Sequence, residues 1–288
     1  MNGRHRFIGA ALAACGVMLL GASAYAADAS PWSQDSRSGI RLLAGANKAG
    51  EAPLRAGIEI KLQPGWKTYW RYPGDSGVPP RFDFSGSENL KSAKVLYPAP
   101  HLFADESGNS LGYKDAVIFP LLISPTQPGK PVTLRLKLDY AACEKLCIPA
   151  EGRAELALGA GASSHDAALA AAEARVPKPV SAAAAGLSVR RVNDAAKPLI
   201  AVDLKAPADK AVALFVEGPT PEWALPIPKP AQGAPVGHRQ FGFTLEGLPS
   251  GVDPKGRFEL TFTVVEGERF IEVKTHLDLS AGFSILRS

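Results

Sequence analysis

Residues 132–147 have the sequence VTLRLKLDYAACEKLC. Every second residue of the first part is apolar, namely Val132, Leu134, Leu136, Leu138 and Tyr140. Successive side chains on a β-strand point to opposite faces, so this period of two predicts one buried face and one face in water. The sequence thus predicts a strand over Val132–Ala141, with Cys143 and Cys147 at or near the turn that follows it.

The same period continues on both sides of this strand. Residues 54–62 alternate apolar with charged side chains, and residues 154–158 repeat the pattern after the cysteines. Clusters of turn-forming residues at 72–77 and 106–109 separate the runs. Many short strands with polar turns indicate an antiparallel β-sandwich over about residues 35–158.

A second set of alternating runs fills residues 187–288. The runs at 200–204, 241–245, 258–264 and 271–279 each place apolar residues on one face, and this part of the chain has no cysteine. These runs predict a second β-sandwich with its own core. The fold class expected for the whole chain is therefore all-β, with two antiparallel sandwich domains.

Residues 159–186 differ from both halves, because they are rich in alanine, glycine and proline. The segment from His165 to Ala174 is helix-prone, so we predict a linker with one short helix between domains at 27–158 and 187–288. Residues 27–160 are expected to fold alone and to keep cysteine exchange with a partner. The second domain is expected to act in docking, and its loss to weaken association without changing the reactivity of Cys147.

The N-terminus has the features of an export signal. Arg4 and Arg6 precede the apolar run 7–20, and Ala24-Tyr25-Ala26 is a small-x-small cleavage site. We therefore predict a signal peptide over residues 1–26 and a location in the periplasm. An uncleaved membrane anchor and lipoprotein processing at Cys15 stay open as alternatives.

Charge and hydropathy narrow the classes of partner. The formal net charge is +4, and removal of the signal peptide brings the chain closer to neutral, which argues against a nucleic-acid partner. After Leu20 no apolar run is long enough to span a bilayer, so no membrane span is expected in the mature chain. Cleavage also removes Cys15, and the two remaining cysteines should form a disulfide for part of the time in an oxidising compartment.

The spacing of Cys143 and Cys147 leaves three interpretations open. A disulfide that closes so short a loop contributes only about 2 kcal/mol in the chain-entropy model, and a sandwich of this size can fold without it. A redox function is therefore favoured over a structural staple, and no cofactor is expected. The third interpretation is a Cu(I) site in which both thiolates bind with a histidine; the candidates are His101, His165, His238 and His276.

Three segments of the chain resemble one known family. They are Tyr140–Glu151 around the cysteines, Gly65–Trp70 and Phe103–Asp115. All three are similar to the N-terminal periplasmic domain of the DsbD thiol:disulfide interchange family, and to its ScsB-like branch in particular. The resemblance covers roughly residues 35–158.

This resemblance implies an immunoglobulin-like domain that relays reducing equivalents between thioredoxin-fold partners in the periplasm, as a thiol:disulfide oxidoreductase. By position, Cys147 matches the cysteine that forms the mixed disulfide, and Cys143 matches the resolving cysteine. Asp105 and Glu106 match acidic residues near the active site, and Tyr69 matches an aromatic one. The alternatives without a functional role are that Asp105 and Glu106 are simply solvated and that Tyr69 belongs to the hydrophobic core.

The chain departs from the family pattern in three ways. Well-known members space the two cysteines more widely, and they have an aromatic residue where this chain has Ser107. Two expectations follow: either Phe103 takes over the shielding role of that aromatic residue, or the disulfide is less protected. The chain ends at Ser288 without a membrane electron-transfer domain, so we expect a separate membrane protein to supply electrons, or a role as a redox-linked binding module.

Overall fold

The computed structural model describes residues 27–75, 77–105, 108–193, 197–207, 209–253 and 255–279. The predicted signal peptide, with Cys15, lies outside these residues. The described chain is all-β, as predicted, and contains four sheets and two short helices. Within the described ranges no helix has the length and apolar character needed to cross a membrane.

The first sandwich consists of two sheets that enclose one core. One sheet has the strand order β1-β2-β3-β9-β6 and the other β11-β10-β4-β8-β7, with β5 paired to β10. The strands are β1 (Ser33–Gln34), β2 (Ser38–Ala44), β3 (Leu54–Leu62), β4 (Lys67–Gly74), β5 (Arg81–Asp83), β6 (Leu90–Val95), β7 (His101–Asp105), β8 (Gly108–Lys114), β9 (Ala116–Pro125), β10 (Val132–Cys143) and β11 (Cys147–Leu158).

The alternation in β10 produces the predicted two faces. Leu134 and Leu138 are fully buried, whereas Arg135 and Lys137 between them are partly exposed and pair with acidic residues. Tyr140 ends the apolar series, and its hydroxyl lies 2.7 Å from that of Ser38 on the opposite sheet. Apolar burial on alternate positions therefore fixes the register of β10, and with it the position of the cysteines.

The predicted linker is packed against the first sandwich. Helix α1 (Asp166–Ala174) buries Leu169 completely, and its side chain lies so close to Gly57 that a Cβ atom there would overlap it. Arg55 binds Asp166 at 2.5 Å and Glu173 at 2.9 Å. The helix begins one residue later than the sequence predicts. Its docking was not anticipated, because a single leucine among alanines gives no clear apolar stripe.

The second sandwich begins directly after α1. Its strands are β12 (Lys178–Val180), β13 (Leu187–Arg191), β14 (Leu199–Lys205), β15 (Val212–Glu217), β16 (Lys229–Ala231), β17 (His238–Thr244), β18 (Arg257–Glu266) and β19 (Arg269–Asp278), with helix α2 (Ala182–Ala185) after β12. The sheets have the orders β12-β19-β18-β15 and β13-β14-β17-β16 around a separate core. Strand β12 pairs in parallel with β19, so part of the predicted linker belongs to this sheet.

The two sandwiches share an apolar contact. Phe215 and Ile227 of the second sandwich are buried in the first core, and the Phe215 ring lies 6.1 Å from that of Trp70. This contact shows that the halves are packed together. The ability of residues 27–160 to fold alone stays a prediction.

We expect Leu169→Ala to lower the free energy of unfolding by about 2–5 kcal/mol, because it leaves a cavity beneath α1. Leu199→Ala is the matched control, since Leu199 is 38% exposed, and should change it by about 0.5 kcal/mol or less. Urea unfolding of both variants measures the difference. Equal effects would contradict the docking of α1 on the first sandwich.

Candidate redox site

The disulfide closes the hairpin of β10 and β11. The two strands pair in unbroken register from Val132 opposite Leu158 to Cys143 opposite Cys147, and three residues form the turn. The two cysteine Cα atoms are 4.1 Å apart, and a disulfide joins the side chains. The pair thus lies at the turn between adjacent strands, where the alternation pattern predicts it.

The two cysteines differ sharply in exposure. Cys143 is 1% exposed, because β10 is an inner strand with β4 on its other side, where Lys67 lies opposite Cys143. Cys147 is exposed, because β11 is at the edge of its sheet, and the neighbouring Leu146 is 77% exposed. Of the two cysteines, Cys147 is therefore the residue that faces solvent.

Tyr69 forms the wall behind the disulfide. Its ring is buried in a small cluster with Ala141 and Cys143, and its hydroxyl oxygen lies 2.9 Å from Cys147 Sγ. A disulfide sulfur carries no proton, so the hydroxyl donates this hydrogen bond. Gly77 lies against the ring with a φ of +134°, and any Cβ there would overlap the Tyr69 side chain. The family resemblance predicts Tyr69 at the site from the sequence, but it does not predict Gly77 beside the Tyr69 ring.

Phe103 contacts Lys67, which lies opposite Cys143 on β4, and the shielding role expected for Phe103 stays a prediction. The Lys67 Nζ atom donates to Ser110 Oγ at 3.1 Å and lies 5.5 Å from the centre of the half-buried Phe103 ring. Lys67 and Tyr69 stand two positions apart on the same face of β4. That spacing is the signal that could have identified Lys67 as a neighbour of the disulfide.

The acidic pair belongs to the turn between β7 and β8. Asp105 ends β7 and pairs with Gly108 through its backbone. The side chain of Asp105 is outside the described structure, as are Glu106 and Ser107. The roles expected for Asp105 and Glu106 therefore stay predictions.

The histidines considered for a Cu(I) site lie elsewhere in the fold. The His101 Nε2 atom contacts the Arg175 guanidinium at 3.3 Å, and burial, together with that positive charge, lowers the pKa of His101. Among the described residues, no group of three His, Cys, Asp or Glu side chains is arranged to hold a metal ion. Binding of Cu(I) by the two thiolates stays a prediction.

Comparison with known proteins agrees with this geometry. Residues 43–159 match the family of the thiol:disulfide interchange protein DsbD, N-terminal. The resemblance predicted from the cysteine segment is therefore confirmed, and the match ends one residue beyond β11.

One similar solved structure is the N-terminal periplasmic domain of ScsB from Proteus mirabilis. It has a TM-score of 0.68 and 20% sequence identity, and the match covers 87% of this chain and 98% of that one. At this identity the likeness shows a common fold, and it extends across both sandwiches. No curated protein matches the chain.

Tyr69→Phe removes the hydroxyl that contacts Cys147 Sγ. In the reduced protein this hydroxyl would donate to the Cys147 thiolate and stabilise its charged form. We expect the variant to react with iodoacetamide about three- to tenfold more slowly at neutral pH. Its rate profile should also shift to higher pH. Mass spectrometry of Cys147 alkylation across a pH series measures both effects.

Tyr140→Phe is the matched control for this experiment. It removes a buried hydroxyl from the strand that carries Cys143, but that hydroxyl binds Ser38. Its alkylation profile should equal that of the parent protein. A profile for Tyr69→Phe that equals the control would contradict the assigned contact.

Proposed function

We propose that this protein carries out thiol–disulfide exchange through Cys147 and Cys143. The family match supports a role in thiol–disulfide interchange in general. The observation that carries the proposal is the unequal exposure of the two cysteine residues, with Cys147 exposed at a sheet edge and Cys143 1% exposed. Such an arrangement directs a partner to one sulfur and keeps the other for the second step.

The proposed exchange has two steps. A partner thiolate attacks Cys147 Sγ, the bond to Cys143 breaks, and Cys143 leaves as a thiolate that takes up a proton. The second thiol of the partner then attacks the partner's first sulfur in the mixed disulfide. Cys147 is released as a thiolate that takes up a proton. Two electrons and two protons pass to this protein, and the partner becomes a disulfide. The reverse sequence passes them on to an oxidised acceptor.

The partners that fit this chemistry are thioredoxin-fold proteins, whose active sites present paired thiols. We place the protein in the periplasm, where it would accept electrons from a thioredoxin-like donor or a separate membrane electron-transfer protein. The similar ScsB structure is that of a periplasmic domain, which supports this location. Residues 27–158 would carry the exchange chemistry.

A structural staple is the weaker interpretation. The hairpin is already held by continuous pairing of β10 with β11, and the core of the sandwich is large without the sulfurs. Closing a loop of this size adds only about 2 kcal/mol by chain entropy. The exposed side of the disulfide also gives it access to other thiols.

Single-cysteine variants test the proposal. A thioredoxin-fold protein with one active-site cysteine, blocked as its mixed disulfide with thionitrobenzoate, is the acceptor. We expect Cys143→Ala to displace thionitrobenzoate through Cys147 and form a covalent complex. Cys147→Ala should react at least about tenfold more slowly, because the remaining Cys143 is buried.

Release of thionitrobenzoate is followed by absorbance, and the complex by non-reducing electrophoresis. Cys15→Ala is added to both variants so that each contains one thiol, and the variant without cysteines gives the background rate. Equal rates for the two single-cysteine variants would contradict the assigned order of attack. Absence of any complex with Cys143→Ala would contradict exchange itself.

A further inference from the structure

Strand β4 connects the disulfide with the second sandwich. Tyr69 and Arg71 both belong to this strand, whose pairing with β8 shifts in register between Tyr69 and Gly74. Tyr69 contacts Cys147, whereas Arg71 extends to the second sandwich, where it meets two carboxylates. One strand thus carries both the wall of the redox site and a link between the domains.

The link is a directional set of hydrogen bonds. Arg71 donates from Nε and one terminal nitrogen to the two oxygens of Glu217, at 2.9 and 2.7 Å. The same terminal nitrogen donates to Glu272 at 2.6 Å. A bidentate pair of this kind fixes orientation as well as distance. It therefore restricts how β4 can shift or rotate against the second sandwich.

Partial burial strengthens this link. The side chains of Glu217 and Glu272 are 17% and 19% exposed, and the Arg71 guanidinium lies 4.5 Å from the centre of the Trp70 ring. Burial alone would disfavour the Arg71 cation, but the hydrogen bonds and charges of the two glutamates outweigh it and raise the pKa of Arg71. Removal of the carboxylate charges would leave a half-buried cation without compensation.

Neighbouring residues of β4 are held in the same way. The Trp70 ring packs against Phe215, the Tyr72 hydroxyl donates to the carbonyl oxygen of Leu225, and Gly74 lies beside Ile227. The second sandwich therefore contacts β4 almost continuously from Trp70 to its end.

The loop after β4 returns to the redox site. Asp75 accepts hydrogen bonds from the backbone and side-chain nitrogens of Asn109, on the hairpin of β7 and β8. Gly77 then lies against the Tyr69 ring. The position of the Tyr69 ring thus depends on β4 and on the loop that follows it. The second sandwich contacts the end of β4 at which this loop begins.

We infer that Glu217 and Glu272 are positioning residues for the redox site, which they serve by holding Arg71 and β4 so that the Tyr69 hydroxyl meets Cys147. This inference rests on the proposed exchange function. It gives the second sandwich an effect on the reactivity of Cys147, whereas the sequence alone favours an effect on docking only.

The test uses the full chain with Cys15→Ala and Cys143→Ala, so that Cys147 is the single thiol. In this parent, Glu217→Gln with Glu272→Gln removes both charges and keeps the size of the side chains. We expect alkylation of Cys147 by iodoacetamide to slow by about three- to tenfold at neutral pH, with a shift of the rate profile to higher pH. Tyr69→Phe should have the same effect.

Combination with Tyr69→Phe separates positioning from general destabilisation. If the glutamates act through the tyrosine hydroxyl, the triple variant should react no more slowly than Tyr69→Phe alone. Glu59→Gln is the matched control, because it breaks the Arg41–Glu59 pair, whose side chains are 23% and 19% exposed, within the first sandwich. Its profile should not change.

An unchanged profile in the folded double variant, or an effect that multiplies with that of Tyr69→Phe, would overturn the inference. If the double variant does not fold, Glu272→Gln alone replaces it, since the bidentate pair with Glu217 remains. It should show a smaller shift that also disappears in the Tyr69→Phe background, and no shift would overturn the inference. Alkylation needs no partner, so failure of the protein exchange assay contradicts only the proposed function.

Discussion

The arrangement of the site depends on the pairing register of β10 with β11. Burial of alternate apolar side chains along β10 sets that register, and its last pair is Cys143 opposite Cys147. Because β10 lies inside its sheet and β11 lies at the edge, Cys143 is buried and Cys147 is exposed. A shift of one residue would turn the apolar face of β10 outward and separate the cysteines. The fold and the chemistry therefore rely on the same set of buried side chains.

The second sandwich packs against the sandwich that carries the disulfide. It contacts β4, the strand that carries Tyr69 and pairs with Cys143. The ion pairs of Arg71 supply direction, and the packing of Phe215 against Trp70 supplies apolar contact. Helix α1 fixes the connecting segment on the opposite sheet through the buried side chain of Leu169 and the ion pairs of Arg55. The strands of the first sandwich are thus contacted by parts of the chain that lie outside residues 43–159, the region that matches the family.

Much of the fold could be predicted from local sequence. The period of two identifies β3 and β10 and leads to an all-β chain, and the cysteine segment leads to the family. What could not be predicted depends on contacts between residues far apart in the chain. Arg71 and Glu217 are ordinary charged residues of their strands, and nothing in their sequence neighbourhoods indicates a pair across the domains. Leu169 similarly lacks an apolar stripe around it, so the sequence predicts the short helix but not its packing on the first sandwich.

The central claim is that the disulfide at the sheet edge is a reversible redox centre. Its reduction potential distinguishes a redox centre from a structural disulfide. The potential is measured by equilibrating the protein in glutathione buffers and quantifying the alkylated thiols. We expect a value among those of exchange proteins, between about −120 and −270 mV. A value well below about −300 mV, as structural disulfides have, would contradict it and make the disulfide a staple of the hairpin.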